Sequence, residues 1–322
     1  MQYVGIETQQ RTNNFRSVVL LFLFPCLVIL LTYIFCFLLT MATVQRYQGD
    51  PLPFNAVYAM FVNYAPVVCM GVLVWFVIAY FSNSWIINNS TGSVPLDRKD
   101  NKRVYNLVEN LCMSKGMKMP KVNIIYDDSL NAYASGINEK SYTVSLSKGI
   151  IDKLDDNELE CVIAHELTHI RNRDVRVLIV SIVFVGLFSM LAQIAIRSVF
   201  YSSMGRSDRN NKGSALPIIL IVMVVAAIGF FFASLMRFAI SRNREFMADA
   251  GAAEMTRNPH ALASALRKIS NDPDIEAVTR NDVAQLFIEH PHTKSESYFS
   301  GLSGLFATHP PIKKRIELLE QF

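Results

Sequence analysis

Charge is what this 322-residue sequence has least of. Asp, Glu, Lys and Arg make up 18% of it, and residues 17–45 carry none at all. That scarcity, against 51% hydrophobic residues, excludes an ordinary soluble chain and a disordered one as leading readings. Three further stretches are as bare, so Ser17–Thr40, Ala56–Phe81, Val177–Ile196 and Ala215–Met236 all lack Asp, Glu, Lys, Arg and His. About 20 helical residues cross an apolar layer roughly 30 Å thick, and each run supplies that length. Four crossings are expected, with a membrane hairpin as the alternative for the last two. The missing ionisable groups argue against a transporter, whose path such groups mark. No CxxC occurs among the five cysteines, an odd count, which disfavours both a disulfide framework and a thiolate zinc knuckle. No convincing small-x-small cleavage site follows the first run, so it is expected to remain as the first span.

What charge there is clusters beside the spans. Arg11 and Arg16 precede the first, and Arg98, Lys99, Lys102 and Arg103 follow the second. Arg171, Arg173 and Arg176 abut the third, and Arg237, Arg242 and Arg244 follow the fourth. Four crossings from a cytoplasmic N terminus put all of these on the inner side. Arg197, Arg206, Arg209 and Lys212, between the last two spans, go against that orientation. The net charge of +4 needs no nucleic acid to explain it.

The soluble parts are residues 82–176 and 237–322, each short for a core of its own but able to form one domain interrupted by residues 177–236. Asp97–Met113 reads as a helix and KMPKVNIIYD as a strand entered through Pro120. The next twenty residues read as two short strands about a turn near Asn138 and Glu139. Asp155 and Glu158 form a candidate capping box for a helix containing His165-Glu166-Leu167-Thr168-His169.

That pentapeptide is H-E-x-x-H. Four residues turn a helix through about 400°, so both imidazoles leave one face and can hold one ion, with Glu166 placed to take a proton from a zinc-activated water. A pair of surface histidines beside a glutamate is the bland alternative. Glu245 and Asp249, spaced i,i+4 in SRNREFMADAGAAEM, offer a third ligand and an outer carboxylate that orients an imidazole. Asp174 could do the latter beyond His169. A solvated helix face beside Arg242 and Arg244 is the alternative for these acids.

With these motifs the chain resembles the HtpX-type, membrane-bound zinc metallopeptidases of the M48 group, which also includes the CAAX prenyl-protein proteases. The resemblance rests on His165, Glu166 and His169, on Glu245 and Asp249 in the S-R-x-x-E-x-x-A-D pattern, on Asn131-Ala132-Tyr133-Ala134-Ser135-Gly136, and on Phe306, Thr308-His309-Pro310-Pro311 and Arg315. Thr168 departs from it, since relatives usually have glycine there. The resemblance implies a multi-pass α-helical membrane protein with a cytoplasmic, mainly helical α+β catalytic domain of the zincin type. It also implies one Zn2+ per chain on His165, His169 and Glu245, with Glu166 as base.

His309 is expected to stabilise the tetrahedral intermediate, with a third zinc ligand as its alternative, and Asn131 to aim its amide at substrate or oxyanion. Asp249, Asp174 and Arg315 are expected around the ligands, Arg315 pairing with Asp249 or standing solvated. The outer edge of the strand through Tyr142, Val144 and Leu146 is expected to dock an extended peptide. His260, His290 and His292 are expected at the surface.

His169 lies eight residues before the third span and Glu245 nine after the fourth, about 12 and 14 Å along a helix. That proximity suits unfolded or damaged membrane-protein segments as substrates. The expected activity is that of a metalloendopeptidase of the bacterial inner membrane, in quality control under stress and beside other quality-control proteases. A CAAX-type processing protease of lipidated peptides and a non-catalytic membrane scaffold are the alternatives.

Overall fold

The structure, a computed structural model, describes residues 6–43, 53–179, 220–231, 243–270 and 310–321, with residues 183, 187, 188, 190, 193 and 197. Two compact units divide the chain. One takes Met1–Ser17, Ser82–Ile179 and Phe238–Phe322; the other takes Val18–Phe81 and Val180–Arg237.

Two helices run through both units: α1 (Ile6–Thr43) and α2 (Phe54–Thr91). Phe22–Ala42 and Phe54–Ser82, with mean hydropathy 2.7 and 2.1, are long and apolar enough to cross a membrane. Phe22, Leu30, Val67, Leu73 and Phe81 turn outward, a distribution that lipid tolerates and water does not. Most of Val177–Ile196 lies outside the described residues. Of Ala215–Met236 only Leu220–Phe231 is described, as an apolar helix. Inside this unit Phe24 and Phe188 meet edge to face at 5.7 Å, and Tyr33 meets Phe61 at 5.6 Å.

The other unit is mixed. It begins with β1 (Val94–Pro95), α3 (Lys102–Ser114), β2 (Lys121–Ile125), β3 (Ala132–Ser135), β4 (Thr143–Ser147) and α4 (Lys148–Lys153). After these come α5 (Asp156–Arg171) and α6 (residues 174–179). With the apolar helix Leu220–Phe231 of the other unit counted as α7, it closes on α8 (Asn243–Thr256), α9 (Pro259–Ile269) and α10 (Ile312–Leu319).

The helix expected from Asp97 starts at Lys102. Asn101 caps it by accepting the Val104 N–H at 3.0 Å, while Asp97–Asp100 forms a turn. The capping box of α5 is complete: Asp155 Oδ1 accepts the Glu158 N–H at 2.9 Å and Glu158 Oε2 accepts the Asp155 N–H at 3.0 Å. Glu158 also accepts from Ser264 Oγ at 2.7 Å and Lys268 Nζ at 2.6 Å, so the start of α5 is tied to α9.

The strand order is β1-β2-β4-β3. β3 and β4 form the antiparallel hairpin, Ala132 opposite Leu146 and Ser135 opposite Thr143. Gly136 enters its turn at φ 109, and a Cβ there would lie 2.4 Å from Ser141 O, which only glycine avoids. On its other side β4 runs parallel to β2, from Lys121 opposite Thr143 to Ile125 opposite Ser147.

This topology corrects the docking edge. β4 is paired on both sides, Val144 and Leu146 are wholly buried, and Tyr142 precedes the strand, so none of the three lines an open edge. Among the described residues the sheet ends instead at β3, which packs beside α5.

Candidate metal centre

α5 and α8 meet where their side chains are small. A Cβ on Gly251 would lie 2.4 Å from Thr168 Cγ2, so the absent side chain is what lets the helices approach. That contact falls one residue before His169 and two after Asp249. It faces the histidines of one helix toward the acids of the other.

His165 is fully buried and His169 nearly so. Their rings cross at 88° with the Nε2 atoms 3.1 Å apart. Glu245 Oε2 stands 3.6 Å from the first Nε2 and 3.7 Å from the second. Behind the rings, His165 Nδ1 faces Asp249 Oδ1 and His169 Nδ1 faces Asp174 Oδ2, each at 3.0 Å. Asp174 is hydrogen-bonded to His169 Nδ1, while Asp249 lies at the same distance from His165 Nδ1 without hydrogen-bond alignment; with protons on both Nδ1 atoms, both Nε2 atoms present lone pairs.

Two lone pairs and a carboxylate oxygen converging at these distances repel one another unless a proton or a cation lies among them. Ligand atoms about 2.0–2.1 Å from a tetrahedral zinc stand roughly 3.3–3.4 Å apart, close to the separations found. The three residues fit a metal ion: their ligand atoms all lie within 4.8 Å of one another.

The electrostatics of the cluster agree. Burial alone would lower the pKa of His169, yet Glu245 and Asp174 outweigh it and push the value up to about 10. For His165 burial is likewise outweighed, by the Asp249 and Glu245 carboxylates beside it. Asp249 is pushed up by burial but ends below the usual range because Arg315 forks onto it, Nε to Oδ2 at 2.8 Å and Nη2 to Oδ1 at 2.7 Å. Arg315, only 1% exposed, also sets Nη1 3.7 Å from Glu245 Oε2.

Glu166 is buried beside the histidines, and that burial pushes its carboxyl up, with His165 and His169 opposing. The Ala134 N–H of the edge strand also opposes that rise. Asn131 is fully buried. Its Oδ1 accepts the Ala132 N–H at 2.9 Å and its own N–H donates to Ser147 Oγ at 3.1 Å, which places the amide oxygen in the service of the sheet. Tyr133 turns its hydroxyl to Thr91 Oγ1 at 2.8 Å and Ser93 Oγ at 3.1 Å, fastening β3 to the end of α2.

Asp174 returns to His169 because α5 stops at Arg171 and Arg173 takes φ 61, a left-handed turn that starts α6 immediately. Two residues at this centre carry no motif and were not legible in the sequence. Asn13 of α1 donates from Nδ2 to Asn172 O at 2.9 Å and Asp174 Oδ1 at 2.6 Å. Arg244 is 7% exposed, its Nε 3.8 Å from Glu245 Oε1. The only sequence sign of the first is an Asn13-Asn14 pair just ahead of an apolar run. The expectation for His309 falls outside the described residues, as do those for His290 and His292; His260 is exposed.

Residues 98–322 match the profile of Peptidase family M48. A Bacteroides fragilis protein named as a Protease HtpX homolog is 70% identical over 322 residues, covering 100% of both chains. Another of that name, from Dictyoglomus thermophilum, is 39% identical over 276 residues, 83% of this chain and 87% of the relative. The crystal structure of S. mikatae Ste24p aligns with 81% of this chain and 58% of that one, at 20% identity and TM-score 0.44. M48 peptidases are zinc metalloproteases, in keeping with the His165, His169 and Glu245 cluster. The chain belongs to peptidase family M48, as one of its HtpX-type metalloproteases.

Proposed function

We propose that the chain is a zinc endopeptidase that cuts misfolded or damaged membrane proteins at the cytoplasmic face of the bacterial inner membrane. The observation that carries this is the convergence of His165 Nε2, His169 Nε2 and Glu245 Oε2 beside a buried Glu166. These three residues hold one zinc ion, which when bound supplies Lewis-acid polarisation of the scissile carbonyl and of water. Glu166 takes a proton from the attacking water and gives it to the departing amine. A carboxyl raised by burial is matched to both halves of that task.

Asp249, gripped by Arg315, keeps the Nδ1 proton of His165 in place, and Asp174 does the same for His169. The substrate backbone adds to the outer edge of β3, the edge strand that packs beside α5. His309 donates to the developing oxyanion. In the membrane we read four crossings, with both catalytic segments inside. Two described helices of spanning length and the Lys and Arg residues beside them support it.

The test is metal content set against hydrolysis in the full chain purified in detergent, with casein and a misfolded membrane protein as substrates. Glu166→Gln is expected to keep zinc and lose cleavage, and His165→Ala to lose both. Near-normal cleavage by contaminant-free Glu166→Gln would overturn the mechanism, and undiminished zinc in His165→Ala the ligand set.

A further inference from the structure

Asn13 sits in α1, nine residues before Phe22, where the apolar stretch begins. It is 3% exposed, and its partners lie about 160 residues further along the chain. One amide hydrogen goes to Asn172 O, the carbonyl at the C-terminal cap of α5; the other goes to Asp174 Oδ1. Asp174 is itself 2% exposed, and its second oxygen faces His169 Nδ1. The contacts form one line: Asn13 amide, Asp174 carboxylate, His169 imidazole.

A buried carboxylate needs donors at both oxygens. One with a single donor is left to rotate or to take up a proton, and either change loosens its hold on the imidazole. His169 Nδ1 serves Oδ2, and Asn13 serves Oδ1. The same amide holds the carbonyl of the left-handed turn that brings Asp174 back to the histidine. An anchor for α1 alone would need only the bond to Asn172 O. The 2.6 Å contact with Asp174 is the one that bears on the metal centre.

We propose that Asn13 is a positioning residue of the metal centre, acting through Asp174 to fix the ring of His169, so that the N-terminal helix supplies part of the support for zinc. The inference rests on His169 being a zinc ligand.

The experiment measures zinc affinity of the full chain in lipid nanodiscs by competition with a chelator, and records the visible spectrum of the Co2+ form. The variants are Asn13→Ala, Asp174→Ala and the two together. Outer contacts of this kind are worth about 10–100-fold in metal affinity, so Asn13→Ala is expected to weaken zinc about tenfold and alter the Co2+ bands. Asp174→Ala is expected to weaken zinc at least as much, and the double variant no more than Asp174→Ala alone, because the first residue acts through the second.

Additive losses, or unchanged affinity in Asn13→Ala, would overturn the proposal. Asn13→Asp keeps the shape but sets a second acid against Asp174. It is expected to weaken zinc as well, and it serves in place of Asn13→Ala if that chain does not fold. His169→Ala separates the two readings. If it binds zinc as the wild type does, the ligand assignment fails; if it loses zinc while Asn13→Ala keeps it, only the role of Asn13 fails.

Discussion

Replacing Gly251 by alanine tests whether the approach of α5 and α8 sets the metal centre. The added Cβ would lie 2.4 Å from Thr168 Cγ2, 2.9 Å from its Oγ1 and 3.2 Å from its Cβ. Carbon atoms rest about 3.5–4.0 Å apart, so the helices must part by roughly 1 Å or Thr168 must leave its rotamer. Thr168 resists turning, being β-branched with Oγ1 donating to Ala164 O at 2.8 Å. Overpacking of this kind costs about 1–3 kcal/mol, while alanine gains roughly 0.5–1 kcal/mol over glycine inside a helix. The net expectation is a loss of about 0–2.5 kcal/mol in folding stability. Zinc should weaken about tenfold, because the histidines stand on one helix and Glu245 on the other. Thr168→Ala in the same chain removes the atoms that clash and should recover both, giving a coupling of about 1–2 kcal/mol. Thermal unfolding with chelator-competition titrations of the single and double variants measures it. If Gly251→Ala alone is as stable and binds zinc as tightly as wild type, or if Thr168→Ala restores neither, the contact does not set the centre.

Arg315→Met should leave the buried Asp249 without its guanidinium partner and cost about 3–5 kcal/mol in chemical denaturation, with Arg315→Lys recovering only part of that because it keeps the charge without the fork. His169, pushed up to about 10 without metal, holds a proton at neutral pH that zinc must displace. Zinc affinity should therefore rise about tenfold per pH unit for that proton and level off above pH 10; calorimetry at pH 7 in buffers of different ionisation enthalpy should show at least one proton released, and release of none would refute it. A cysteine at Ser207, in a chain cleared of accessible cysteines, should react with an impermeant thiol reagent on intact spheroplasts, while one at Ser295 reacts only after the membrane is opened. Equal protection of both would leave residues 177–236 as a hairpin that does not cross.

Local signals in the sequence carried far. The capping box at Asp155 and Glu158, the hairpin turn before Thr143 and the one-face spacing of His165 and His169 depend on contacts within a few residues, and each reappears in the structure. What could not be read was set by distant pairing. β4 alternates as a half-exposed strand would, yet the parallel ladder with β2 takes the edge that the alternation left open. Helix α3 begins at Lys102 and not at Asp97 because Asn101 is the residue that caps it. Asn13 was hidden for the same reason, since an asparagine at the head of an apolar helix carries no sign of the turn that it meets about 160 residues on. Thr168 departs from the glycine usual ahead of the second histidine in the family that the chain resembles, and the small residue stands opposite on α8.

Formal charge shows why these elements meet where they do. Among the described residues, Glu166, Asp174, Glu245 and Asp249 bring four carboxylates into one buried region, and Arg244 and Arg315 bring two guanidinium groups. Two negative charges are left over with the imidazoles neutral, which is what a divalent cation cancels. Without a cation the deficit falls on protons, and His169, pushed up to about 10, is one group that holds one. Arg315 cannot do this work from elsewhere: its fork fixes Asp249, and its remaining nitrogen sits 3.7 Å from Glu245. α10 is thus held to α8 by the charge of the site as well as by packing. Folding and metal binding draw on the same set of charges, so a chain stripped of zinc should loosen first where α10 meets α8.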